Sequence, residues 1–90
     1  MAKIIYTETY NSRARKFLKK HPELKGQYEK SLKLLELNPQ HPSLRLHKLT
    51  GKLTDLYSVS INITYRITID FIIKDDKIIP ITIGTHEEAY

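Results

Sequence analysis

Residues 56–83 read LYSVSINITYRITIDFIIKDDKIIPITI. Apolar side chains fall at the odd positions Tyr57, Val59, Ile61, Ile63, Tyr65, Ile67, Ile69, Phe71 and Ile73, and then at Ile79, Ile81 and Ile83. The even positions from Ser58 to Asp70 are Ser58, Ser60, Asn62, Thr64, Arg66, Thr68 and Asp70. Successive side chains on a strand point to opposite faces, so this alternation predicts a sheet with one buried face and one polar, solvated face. Turn residues at Asn62 and at Asp75-Asp76 divide it into a meander of about three antiparallel strands. Arg66 falls in mid-strand on the polar face, and that face is where function is expected.

The buried face needs a cover, and the first half of the chain supplies it. Lys3-Ile4-Ile5-Tyr6 reads as a further short strand. Thr7 or Thr9 can cap a following helix by accepting hydrogen bonds from free backbone N–H groups. Tyr10, Ala14, Phe17 and Leu18 then form an apolar stripe, with cations gathered in the last turn. Pro22 ends that helix and suits the first turn of the next one. Leu24, Tyr28, Leu32 and Leu35 give the second stripe, which Asn38-Pro39 stops. Residues 39–43 read as a loop, and residues 44–53, LRLHKLTGKL, as a short strand ending at Gly51. The chain should leave its last strand through Gly84 and end as a loop or one helical turn. The expected fold is α+β, an N-terminal strand and helical hairpin packed on a mostly antiparallel β-meander, in one domain spanning residues 1–90.

Composition narrows the function classes. The chain has 90 residues, of which 40% are hydrophobic and 28% charged, the balance of a globular protein rather than a disordered one. Without cysteine it can form no disulfide framework, thiolate metal site or cysteine nucleophile. No apolar run approaches the roughly 18–20 residues that cross a bilayer, and no signal-peptide pattern is visible, so a cytoplasmic location is expected. Residues 1–53 hold 12 Lys and Arg against 4 Asp and Glu, a net of +8; residues 54–90 hold 3 against 6, a net of −3. A basic half of this kind fits a polyanionic partner or, more plainly, a solvated helix surface.

Of the four histidines, His21 and His41 each precede a proline and read as exposed turn residues. His47 and His86 lie at or just beyond the ends of strands, where side chains from distant segments can converge. Cutting a phosphodiester in RNA requires a base for the 2′-OH proton, a cation for the charged phosphorane and an acid for the leaving 5′ oxygen. Histidine can serve as base or acid near neutrality, and arginine offers a fork of donors matched to phosphate. His47, Arg66 and His86 would supply these parts without a metal or cofactor, and Tyr90 could stack on a base. The plainer alternative pairs Arg66 with Asp70 and leaves the histidines and Tyr90 as surface residues. His47, His86, Glu87 and Glu88 do not have a metal-ligand spacing such as H-E-x-x-H. No glycine-rich phosphate loop or nucleophile elbow is present.

Three segments together resemble one family: LHKLTG (46–51), LYSVSINITYRI (56–67) and IGTHEEAY (83–90). In this order they look like the RelE/ParE superfamily of type II toxin–antitoxin toxins, and most like its RelE/YafQ-type mRNA interferase branch. The resemblance spans nearly the whole chain and implies a RelE-like, microbial-RNase-like fold. It also implies metal-free mRNA cleavage in the ribosomal A site, leaving a 2′,3′-cyclic phosphate, and inhibition by a cognate antitoxin that wraps the toxin. By motif position, His47 matches a candidate acid or base, Arg66 the phosphate-stabilising arginine, His86 a candidate general acid and Tyr90 the terminal aromatic that positions substrate. Arg45, Lys48 and Lys52 are expected to grip RNA phosphates. The chain departs from the pattern where YafQ-type toxins carry a histidine and an aspartate, since Ser60 and Thr64 stand in those places. Two other readings use the same scaffold: a ParE-like inhibitor of DNA gyrase that cuts no RNA, and a relative that keeps only antitoxin or nucleic-acid binding.

Overall fold

The computed structural model describes residues 2–49, 56–72 and 75–85, with the backbone alone at 71 and 72. Strand β1 (Lys3–Ile4) leads into helix α1 (Glu8–Lys20), a 3-10 turn at Pro22–Leu24 and helix α2 (Lys25–Leu37). A second 3-10 turn at Pro42–Leu44 precedes β2 (His47–Lys48), β3 (Tyr57–Ser60), β4 (Tyr65–Ile72) and β5 (Lys77–Thr85). The five strands lie in the order β1-β5-β4-β3-β2. β1 runs parallel to β5, and every other neighbouring pair is antiparallel. The α+β architecture expected from the sequence is present.

Local chemistry explains the helical hairpin. Thr7 caps α1, its Oγ1 accepting from the Tyr10 N–H at 3.1 Å. Glu8 in the first turn and Lys19 and Lys20 in the last complement the helix dipole. His21 leaves the helical conformation ahead of Pro22, as a residue before proline tends to. Tyr10, Ala14 and Phe17 are buried from α1, and Tyr28, Ser31 and Leu35 from α2. Ser31 tolerates burial because its hydroxyl donates to the Gln27 carbonyl at 2.9 Å. The Tyr10 and Tyr28 hydroxyls join the two helices at 2.8 Å. Burial raises the pKa of both phenols, so they stay neutral there.

These helices pack on the face carrying Val59, Ile67, Ile69 and Ile78, each 0% exposed. Fully burying one such side chain stabilises the fold by roughly 1.5–3 kcal/mol. Phe17 of α1 meets the Tyr65 ring edge-on, with centroids 5.1 Å apart. The turn at Asn62 forms as expected: its Oδ1 accepts from the backbone N–H of Thr64 at 2.9 Å and of Tyr65 at 2.8 Å. Asp76 takes a left-handed conformation, φ 54°, at the β4–β5 turn.

Four expectations need correction. The alternation does not continue unbroken into β5. Ile69 pairs with Pro80 but Thr68 pairs with Thr82, so Ile81 is one residue extra, a β-bulge. Buried positions therefore change parity along β5: Ile78 and Pro80 before the bulge, Ile83 after it, with Ile79 and Ile81 only partly buried. The polar face is also less solvated than its composition suggests, for Ser58 is 0% and Thr68 1% exposed. Both lie on the central strands β3 and β4. Of the strand expected over residues 44–53, only His47–Lys48 is strand among the described residues 44–49, because Pro42–Leu44 turns as a 3-10 helix and Arg45 is left-handed. Gly84 lies inside β5, which continues to Thr85. Ile73, Gly51 and the expected terminal loop fall outside the described residues.

Candidate functional site

Register places the candidate residues on the sheet. His47 pairs with Ser58, Ser58 with Thr68 and Thr68 with Thr82, which makes one row across four strands of the polar face. The neighbouring row on that face is Ser60, Arg66 and Gly84. His47 and Arg66 are thus two strands and two residues apart, with Cα atoms roughly 12 Å from one another by standard sheet spacings. Both are long enough for their tips to meet one group lying over Ser58 and Ser60. Gly84, which is buried, presents no side chain beside Arg66.

His47 is held in a defined state. Its Nδ1 lies 3.0 Å from the Arg45 carbonyl oxygen. A carbonyl can only accept, so Nδ1 carries the hydrogen and Nε2 carries the basic lone pair of the neutral ring. Arg45 supplies that carbonyl from a left-handed conformation, φ 49° and ψ 45°, costly for a residue with a side chain. The strained backbone at Arg45 therefore sets which nitrogen of His47 is basic. Arg66 is half-buried, with its Nε withdrawn from solvent and the sheet supporting its stem.

Other expected contacts divide. Arg45 is exposed and borders a cleft of about 580 Å3 that also includes Ser60, the residue paired with Arg66. Lys48 is exposed, but it pairs with Tyr57 and so belongs to the face opposite His47. It is not brought together with Arg66. His86, Tyr90 and Lys52 lie outside the described residues, and Thr85, paired with Tyr65, is the last described position before His86. Among the described residues no group of three His, Cys, Asp or Glu side chains could hold a metal ion. Among them, too, no helix is long and apolar enough to cross a membrane.

His21 is no exposed turn residue: its ring packs against both Phe17 and Tyr65, 4.8 Å from each centroid, and 27% of its side chain is accessible. The signal was available, since Phe17 and His21 are four residues apart and share a helix face. The tautomer-setting carbonyl of Arg45 had no such signal in composition or spacing.

Comparison with solved structures places this architecture. YafQ from E. coli superposes on 100% of this chain and 99% of its own, with TM-score 0.79 and 14% identity. The same toxin in the E. coli DinJ–YafQ toxin–antitoxin complex gives TM-score 0.76 over 99% of this chain and 97% of its own, at 16% identity. This is the RelE/YafQ-type toxin fold. A copper-bound mutant toxin from Helicobacter pylori shares it at TM-score 0.72 and 23% identity, over 100% of both chains. At such identities the shared property is the RelE/YafQ-type fold itself. No family model and no curated protein matches the sequence.

Proposed function

We propose that this protein is the toxin of a type II toxin–antitoxin pair and cleaves mRNA on the ribosome. The observation that carries the reading is the polar face, where an imidazole with a defined basic nitrogen and a guanidinium occupy adjacent rows. A fold shared with YafQ along its whole length supports it. In this reaction Nε2 of His47 takes the proton of a 2′-OH, and the 2′ oxygen attacks the adjacent phosphorus. Arg66 donates to the phosphorane oxygens, whose charge grows in the transition state. His86 gives a proton to the departing 5′ oxygen as the P–O5′ bond breaks, leaving a 2′,3′-cyclic phosphate. Tyr90 positions the substrate, and Arg45 and Lys52 hold its backbone. This scheme needs neither metal nor cofactor, since imidazoles move both protons. The substrate would be a message in the ribosomal A site, in the cytoplasm, and an antitoxin would cover the same face.

The test is primer extension on a translated message, with wild type beside His47→Ala and His86→Ala. Cuts confined to the wild-type lane support the assignment. Equal cutting by His47→Ala would remove the base from the scheme. An intact message combined with inhibited gyrase supercoiling would replace the nuclease with a gyrase inhibitor.

A further inference from the structure

A second cavity, about 660 Å3, opens between the C-terminal half of α1 and β5, lined on its helix side by Arg13, Lys16, Lys19, Lys20 and His21 and on its strand side by Thr82. Four permanent cations and an imidazole thus surround one space. Glu23, two-thirds exposed, lies 3.8 Å from His21 Nδ1. Like charges three or four residues apart on a helix repel one another. Gathering them around a hollow therefore disfavours the fold slightly unless an anion from outside enters.

Two of these groups are fixed in place. Arg13 Nη1 donates to the Ile81 carbonyl at 2.9 Å, which ties the guanidinium across from helix to strand and leaves its other donors directed elsewhere. His21 packs against both the Phe17 and Tyr65 rings, forming one wall. On the strand side the cavity is lined by the inward-facing Ile83 and by Thr82, which belongs to the polar face. Thr82 closes the row that begins at His47, and Arg66 pairs with Gly84 two residues further along β5. The Cα atoms of Arg66 and Thr82 are about 8 Å apart by sheet spacing. β1 pairs with β5 only at Lys77 and Ile78, so among the described residues no strand stands between this lane and the cavity.

We propose that this cavity is a second phosphate-binding site, which holds the RNA backbone beside the bond presented to Arg66. The proposal rests on the nuclease reading for the identity of its ligand. The place of Thr82 two residues from Gly84, the partner of Arg66, favours a nucleic-acid strand over an acidic protein segment, because one polyanion passing the edge of β5 can engage both sites. Arg13 and Lys16 contact phosphates on one side, with Lys20 and His21 on the other.

The experiment measures binding of a labelled ten-nucleotide 2′-O-methyl RNA, which cannot be cleaved, to the full chain by fluorescence anisotropy over a range of salt. Lys16→Ala/Lys20→Ala should weaken binding on the order of tenfold at low salt. It should also reduce the slope of log K against log salt by about 1.4, the value for two single-strand phosphate contacts. Lys16→Arg/Lys20→Arg should restore both. Lys30→Ala/Lys33→Ala, an equal charge change on the exposed surface of α2, should alter binding less than twofold. Equal losses from the two alanine pairs, or no loss from the first, overturn the site. So does a poly-glutamate peptide that loses binding to Lys16→Ala/Lys20→Ala while the RNA does not, since the cavity then takes a protein partner. The RNA is uncleavable, so cavity-dependent binding by a protein that leaves translated messages whole would sink the nuclease reading and spare the site.

Discussion

On one side of the sheet Val59, Ile67, Ile69 and Ile78 pack against two helices; on the other, Ser58, Arg66 and Thr68 occupy neighbouring positions of β3 and β4, with His47 beside them on β2. The first side is a filled interior in which volume and apolarity decide the outcome. The second is assembled from side chains with protons or charge to move, on a backbone that the first side holds still. Substitutions on the helix side should therefore change stability without changing chemistry, and those on the polar side should do the reverse.

The largest effect is expected in the interior. Ile67→Ala should cost about 2–5 kcal/mol in urea unfolding, the range for deleting a fully buried aliphatic side chain. Cleavage per folded molecule should be unchanged. On the other side, Arg66→Ala should slow cleavage on the order of 100–1000-fold, as loss of a transition-state donor does. It should lower stability by only about 1 kcal/mol, because the side chain is half-buried rather than part of the interior. Arg66→Lys should recover part of the rate, having charge but no fork. A slow but well-folded Ile67→Ala, or an Arg66→Ala that unfolds and still cuts when folded, would erase the division between faces.

A third test sharpens the interior side by pH. The native fold raises the pKa of Tyr10 and Tyr28, chiefly by burial, above the ordinary 10.0. Above that pH the unfolded chain has released protons that the native chain still binds, so stability falls as pH rises. It should be level below about pH 9 and decline beyond 10, by up to about 1.4 kcal/mol per pH unit for each phenol. Tyr10→Phe should flatten the decline in alkaline denaturation curves; a decline unchanged in the variant would assign it elsewhere. The smallest effect belongs to the turn that joins β3 and β4. Asn62→Ala removes the acceptor for two backbone N–H groups and should lower the unfolding midpoint by about 1 kcal/mol.

The same division governs what could be read from the chain beforehand. Burial by hydrophobic patterning is a local, repetitive property, so the helical hairpin, the Asn62 turn and strands β3 and β4 were legible. Thr7 was one of two caps considered, and the hydrogen bond to Tyr10 selects it. Ser58 and Thr68 look solvated by residue type yet are buried, a property of the assembled sheet. Placing His47 and Arg66 on one face followed from alternation combined with family resemblance. Moving Lys48 to the opposite face needed the register of β2, which two residues of strand do not announce. The cavity under α1 is a tertiary product: Phe17, His21 and Tyr65 meet only once the helix lies on the sheet.

The extra residue in β5 has a further bearing on how this chain can vary. Were the same residues paired without the bulge, Ile83 instead of Gly84 would stand opposite Arg66 and turn from the interior toward the guanidinium. The segment 77–85 thus works as a ruler with one deliberate miscount. Loss of Ile81 alone would leave Thr82, Ile83 and Gly84 opposite their present partners on a regular strand, whereas smoothing out the bulge at full length would turn the greasy side of the strand's end toward Arg66. Among proteins built this way, a one-residue difference in length should therefore be tolerated at this point of the strand.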